Sequence, residues 1–219
     1  MTRLPRTFIL ITLASFVASG CLVKDVTETW YVDAGGAVTW VVLEKDVRSD
    51  ANAPKDRLDE ESVYWTAVQQ NSHPTAAAFH ELGATRPRTV VLRDEPPYTV
   101  QTEGRFSGLD VLGQRLIAGF GASGSSVVTR DGTTWEWTMI VRDPKASGAT
   151  VEPSKNVDDV TTSLDELKVV LVSGRFESAE GFSISSDRRS ATWAVKDPEA
   201  SKGDENPTIT LRLKWKGSL

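Results

Sequence analysis

Residues 26–43 read VTETWYVDAGGAVTWVVL, and their alternation decides the fold class. In an extended chain Val26, Glu28, Trp30 and Val32 fall on one side, with Thr27, Thr29 and Tyr31 on the other. Asp33-Ala34-Gly35-Gly36 interrupts the run, after which Val38, Trp40 and Val42 resume one side against Thr39, Val41 and Leu43. Two period-two runs joined by an Asp/Gly turn predict a β-hairpin.

Downstream, residues 46–57 are polar and predict a loop. A helix is expected over about Asp56–Gln70, burying Leu58, Trp65 and Val68. Asn71, Ser72 and Pro74 interrupt it. A second short helix takes Pro74 into its first turn, is capped at Ser72 or a neighbour, spaces Ala76, Phe79 and Leu82 helically and stops at Gly83. Thr89–Arg93 and Tyr98–Phe106 predict strands about the Glu95-Pro96-Pro97 turn. Leu109, Val111, Leu112, Leu116 and Ile117 predict a helix ended by Gly119 and Gly121. Val127–Arg130 and Trp135–Val141 flank Asp131-Gly132 as a further hairpin, in which Trp135, Trp137, Met139 and Val141 share a face. Residues 143–166 are rich in Pro, Ser, Asp and Lys, with one helical turn at Ser163–Glu166; two lobes of the domain would join there.

Strands return at Val169–Phe176, Phe182–Ser185, Ala191–Val195 and Thr208–Lys216. The last sets Ile209, Leu211, Leu213 and Trp215 inward against Thr210, Arg212 and Lys214. Asp33, Asp131 and Asp187 each precede a tryptophan (Trp40, Trp137, Trp193) by six or seven residues, a polar turn followed by a strand with a large core aromatic. The fold class is α+β: mostly antiparallel sheet or sheets, with two or three short helices packed on one face.

Upstream, Arg3 and Arg6 precede an apolar run from Phe8 to Ala18, and Ser19 and Gly20 lead to Cys21. Eleven helical residues reach only about 17 Å, short of the roughly 30 Å hydrocarbon core. The run therefore fits the apolar part of a secretion signal spanning residues 1–20. Val17-Ala18-Ser19-Gly20-Cys21 resembles the bacterial lipobox, although Ala18 stands where that motif favours Leu. The resemblance implies acylation of the Cys21 thiol, cleavage between Gly20 and Cys21, and attachment of residues 21–219 to a membrane as a single envelope domain. Leu22, not Asp, follows the cysteine, a pattern similar to that of outer-membrane lipoproteins facing the periplasm where a cell has two membranes. Several acyl chains hold a protein firmly where one holds it marginally.

Composition narrows the function. Beyond the leader the chain carries 30 acidic residues against 23 basic ones, which argues against nucleic-acid binding. Cys21 is the only cysteine, so with its thiol acylated neither a disulfide nor thiol chemistry is expected. His73 and His80 lie seven apart with Pro74 between them, lack zinc-type neighbours and are expected at the surface, with no metal. There is no G-x-S-x-G elbow. Gly121–Ser126 lacks the Gly-Lys-Ser/Thr ending of a phosphate loop and is read as a flexible turn. Asp59-Glu60-Glu61 suits a helix N-terminus, and Asp158-Asp159 has no EF-hand spacing. No catalytic residue and no cofactor is assigned. The seven tryptophans fall mostly on apolar strand faces and are read as core, with Trp135 the one to examine for exposure.

Cys21, the hairpin Thr27–Val42 with its Asp33-Ala34-Gly35-Gly36 turn, and the segments Ser173–Phe176, Glu180–Phe182 and Ala191–Trp193 together resemble the LppM-like lipoproteins of actinobacteria, a group of unknown function. The resemblance implies a lipid-anchored β-rich fold and no reaction; the C-terminal membrane helix of many such relatives has no counterpart in this sequence. The expected role is a non-enzymatic binding or interaction module recognising an envelope protein or an amphiphile. A purely structural envelope component and an enzyme with an unrecognised site are the alternatives. Replacing Cys21→Ala is expected to leave the precursor uncleaved on an immunoblot of membrane fractions; normal processing and retention would refute lipidation.

Overall fold

The computed structural model describes residues 22–119, 121–142, 166–194 and 208–217. The hairpin forms as the alternation requires: β1 (Leu22–Val32) pairs antiparallel with β2 (Val38–Ser49), Trp30 opposite Trp40. Its turn is fixed by Asp33, whose Oδ1 accepts the backbone N–H groups of Gly35 and Ala37, both at 2.9 Å. Gly36 supplies the positive φ (83°) that the turn needs.

Two helices follow, α1 (Pro54–Gln69) and α2 (Pro74–Glu81), then β3 (Thr85–Arg93), β4 (Tyr98–Phe106) and α3 (Leu109–Gly119). The chain continues as β5 (Ser123–Asp131), β6 (Thr134–Arg142), β7 (Glu166–Leu171), β8 (Arg175–Glu180), β9 (Ser183–Ile184), β10 (Ser190–Ala194) and β11 (Thr208–Lys216). They build a seven-stranded sheet, β3-β4-β2-β1-β7-β10-β9, and a four-stranded sheet, β5-β6-β11-β8. All pairings are antiparallel except β1 with β7.

One aromatic chain crosses the core. Trp40 of β2 lies 4.9 Å from Phe79 of α2 and 5.6 Å from Trp30 of β1, and Trp30 lies 6.1 Å from Trp137 of the smaller sheet. Leu109, Leu112, Leu116 and Ile117 of α3 join the same buried cluster. Trp137 keeps its indole N–H satisfied by donating to Ser126 Oγ at 2.9 Å, and Ser126 donates to the Leu109 carbonyl at 3.2 Å. Tyr64, Val68, Val47 and Val100 make a smaller cluster at the other end of the hairpin.

Several expectations change. The helices do not share one face: α1 and α2 lie against strands of the large sheet, whereas α3 lies chiefly on β5 of the small one. The expected loop at 46–57 shortens, because β2 continues to Ser49 across a bulge at Asp46 (φ 53°) that turns Val47 inward. Ser123–Ser126 of the expected flexible turn is strand, paired with Met139–Arg142; Gly124 allows it, since a Cβ there would lie 1.9 Å from the Ile140 carbonyl oxygen. The continuous strand read at Val169–Phe176 is two, β7 and β8 in different sheets, parted at Gly174 (φ 92°). On α1, Leu58 faces solvent (67% exposed) because Tyr64 and Val68 set which side is buried. Ile209, near the start of β11, is exposed. Glu166 opens β7, and residues 143–165, where two lobes would join, lie outside the described residues. No helix among the described residues is long and apolar enough to cross a membrane.

Gly104 on β4 lets α2 approach the sheet: a Cβ there would meet Phe79 Cδ2 at 2.8 Å and Ala84 Cβ at 2.9 Å. Gly104→Ala is expected to lower stability by about 1–3 kcal/mol in urea unfolding; an unchanged midpoint would mean that α2 does not sit this close.

Candidate functional site

The antiparallel register sets Val26 opposite Glu44 and Glu28 opposite Val42, so both carboxyls occupy the inner face of the hairpin, one rung apart. Both are buried, Glu44 to 3% exposure. Their surroundings differ.

Three donors from three elements converge on Glu44. The Lys24 ammonium of β1 pairs with Oε1, Tyr64 of α1 donates its hydroxyl to Oε2 at 2.9 Å, and His73 Nε2 lies 3.1 Å from Oε2. His73 is itself held from behind, its Nδ1 accepting the Thr75 N–H at 3.3 Å as the N-cap of α2, with Pro74 in the first turn. The Tyr64 and His73 rings meet edge to face at 5.2 Å. Burial pushes Glu44 upward, but the hydrogen bond from His73 and the Lys24 charge outweigh it and hold the carboxyl down at about 2. Burial, with the same carboxylate adding to it, drives the Tyr64 hydroxyl far above the usual phenol range.

Glu28 has one donor, the Trp40 indole N–H, at 3.0 Å from Oε2, and no partner for Oε1 among the described residues. Burial dominates there; the Trp40 bond opposes it, the Glu44 charge adds to it, and the carboxyl rises to about 8. At neutral pH the pair therefore holds one charge and one proton.

Beside this network lies a cleft of about 680 Å³ between the start of β1, one flank of α1 and the α1–α2 junction. Leu22, Val63, Tyr64, Ala67 and Pro74 supply apolar wall; Lys24, Asp59, Glu60, Ser72 and His73 supply the polar part. That size and mixture fit a small-molecule site. The junction is shaped by Asn71 (φ 51°) and by the Ser72 N–H, which bonds the Ala67 carbonyl at 2.9 Å.

Gly20 and Cys21, the expected cleavage and lipidation residues, lie outside the described residues, as do Asp158 and Asp159; Leu22, the next residue after Cys21, lines the cleft. His80 is exposed as expected, but His73 is buried to 2% exposure, because Glu44 and the Thr75 N–H engage both its nitrogens. In the Asp59-Glu60-Glu61 run, Glu60 accepts from Ser49 Oγ and Glu61 from Ser49 N at 3.2 Å, so the run ties α1 to the end of β2. Trp135 is half-buried, stacked on Trp215 at 6.0 Å with the Arg130 guanidinium over it, and belongs to the packed interior's rim. Among the described residues no three His, Cys, Asp or Glu side chains are grouped to hold a metal ion.

Glu28, Glu44, Tyr64 and Lys24 escaped the sequence reading. A signal was present for the first two: each occupies a position whose alternation partners are Val, Trp and Val.

No known protein family matches the chain, and no curated protein does either. Among solved structures it is similar to the NMR structure of the folded domain of Mycobacterium tuberculosis LppM, at 10% identity over 92% of this chain and 93% of that one, with a TM-score of 0.39.

The split carboxyls make stability depend on pH in opposite senses. Glu28, raised from 4.5 to about 8, keeps a proton that the unfolded chain releases, so stability falls as pH rises through that window and the loss is complete above it. Glu44, lowered from 4.5 to about 2, contributes fully above 4.5 and loses its contribution as pH falls toward 2. Glu28→Gln is expected to remove the alkaline loss, making the variant about 2–4 kcal/mol more stable than the parent at pH 8.5 but little different at pH 5, in urea titrations. Parallel pH profiles for the two proteins would refute the assignment.

Proposed function

We propose that the protein is a lipid-anchored envelope module that binds an amphiphile in the cleft beside β1. The carrying observation is position: Leu22 lines the cleft and is joined directly to Cys21, so about 3.8 Å separates the Cα atom of the anchoring residue from that of a cleft residue. An acylated Cys21 would hold the cleft at the membrane-facing end of the domain, where amphiphiles concentrate. Leu22 after the cysteine favours the outer membrane in a cell that has two.

The network on the cleft floor supports binding over catalysis. Glu44 is 3% exposed and accepts from three donors, and His73 is 2% exposed with both ring nitrogens engaged, so neither presents an unpaired polar atom to an occupant of the cleft. Leu22, Val63, Ala67 and Pro74 give the lining an apolar surface for a chain beside its polar groups.

The test is isothermal titration of the protein with dodecylphosphocholine below its micellar concentration, alongside Ala67→Trp, which fills the cleft. Saturable one-to-one binding, weakened about tenfold or more in the variant while its circular dichroism is unchanged, is the expected result. Non-saturable binding, or equal affinity in the two proteins, would overturn the reading.

A further inference from the structure

We infer that the cleft selects an amphiphile with a cationic head, an apolar chain ending in an ammonium group, over one with a phosphate or sulfate head. This rests on the cleft being a binding site, and adds which chemistry it accepts.

The charges on the lining set this preference. Among the described residues that line it, the one permanent cation, Lys24, is committed: the ammonium pairs with Glu44, a carboxylate 3% exposed. Drawing Lys24 away to meet an anion would strip a donor from a buried charge, and breaking one partner from such a pair is strongly unfavourable. Lys24 and Glu44 thus cancel, and the charge left on the lining is that of Asp59 and Glu60 on α1. Asp59 has no hydrogen-bond or ion-pair partner among the described residues and is exposed; Glu60 is engaged through Oε2 by the Ser49 hydroxyl. Lys55 and Arg57 belong to the same helix but do not line the cleft. The remaining titratable groups of the described lining are His73, which turns Nε2 toward Glu44 and Nδ1 toward the Thr75 N–H, and Tyr64, whose hydroxyl donates to Glu44.

An entering apolar chain would cover Leu22, Val63 and Ala67 while its head met two carboxylates close to low-dielectric walls, where charge contrast is stronger than in open water. An anionic head would meet like charge, with no free cation among the described lining residues to offset it. Neutral and zwitterionic heads fall between. The preference is electrostatic and only partly buried, so it weakens with added salt.

The experiment titrates the full chain with dodecyltrimethylammonium, dodecylphosphocholine and dodecyl sulfate, each below its micellar concentration, at low and high salt. The parent should bind the ammonium compound about tenfold or more tightly than the sulfate, with a gap that shrinks at high salt. Asp59→Asn combined with Glu60→Gln should close that gap, with circular dichroism unchanged; Asp59→Asn alone, which leaves the Ser49 contact in place, should close part of it. Equal or tighter sulfate binding would overturn the inference and leave the amphiphile reading standing. Absence of saturable binding by all three would overturn both.

Discussion

The carboxylate of Glu44 is the constraint on which the helical half of the molecule depends. It sits at an inward position of a strand, where burial of a charge is costly, and is retained because β1, α1 and the α1–α2 junction each send it a donor. The contact that satisfies the charge also fixes where α1 lies on the hairpin and where α2 begins, since the imidazole that donates to Glu44 caps α2 through its other nitrogen. The cleft is the space left between those elements. Its floor is therefore as rigid as the network beneath it.

One rung along the same face, Glu28 shows the other outcome for a carboxyl in this environment. With one indole donor and a charged neighbour it is held as the acid. Two carboxyls so close within one apolar face cannot both ionise cheaply, and the donors decide which does. Trp40 links this polar pair to the packing of the domain, because the indole that donates to Glu28 also packs edgewise and tilted into the chain Trp30–Trp40–Phe79. Core and site therefore share side chains.

Much of the fold was legible in the sequence. The alternation around Trp30 and Trp40 and the Asp33 turn predict the central hairpin, and β4, α3 and β11 lie close to where periodicity places them. The rest depended on tertiary facts that local patterns do not carry. Leu58 reads as a buried helix position, yet α1 is rotated by Tyr64 reaching for Glu44. Ser123–Ser126 reads as a loop, yet small residues are what allow β5 to lie against β6. Gly174 divides an apparently continuous strand because the two halves serve different sheets. Of the site, Glu28 and Glu44 were detectable as charges at inward positions. His73 and Tyr64 were not, because their partner lies far away in sequence, and nothing in their own segments distinguishes a buried imidazole from an exposed one.

The account stands on Glu44 fastening α1 to the hairpin, and a double-mutant cycle between Glu44 and Tyr64 measures that directly. Glu44→Met keeps the shape and removes the charge; Tyr64→Phe removes only the hydroxyl. Urea unfolding of the parent, the two single variants and the double variant should give a coupling of about 1–3 kcal/mol at neutral pH. A coupling within a few tenths of a kcal/mol of zero would contradict it, and the helices would then owe their placement to apolar packing alone.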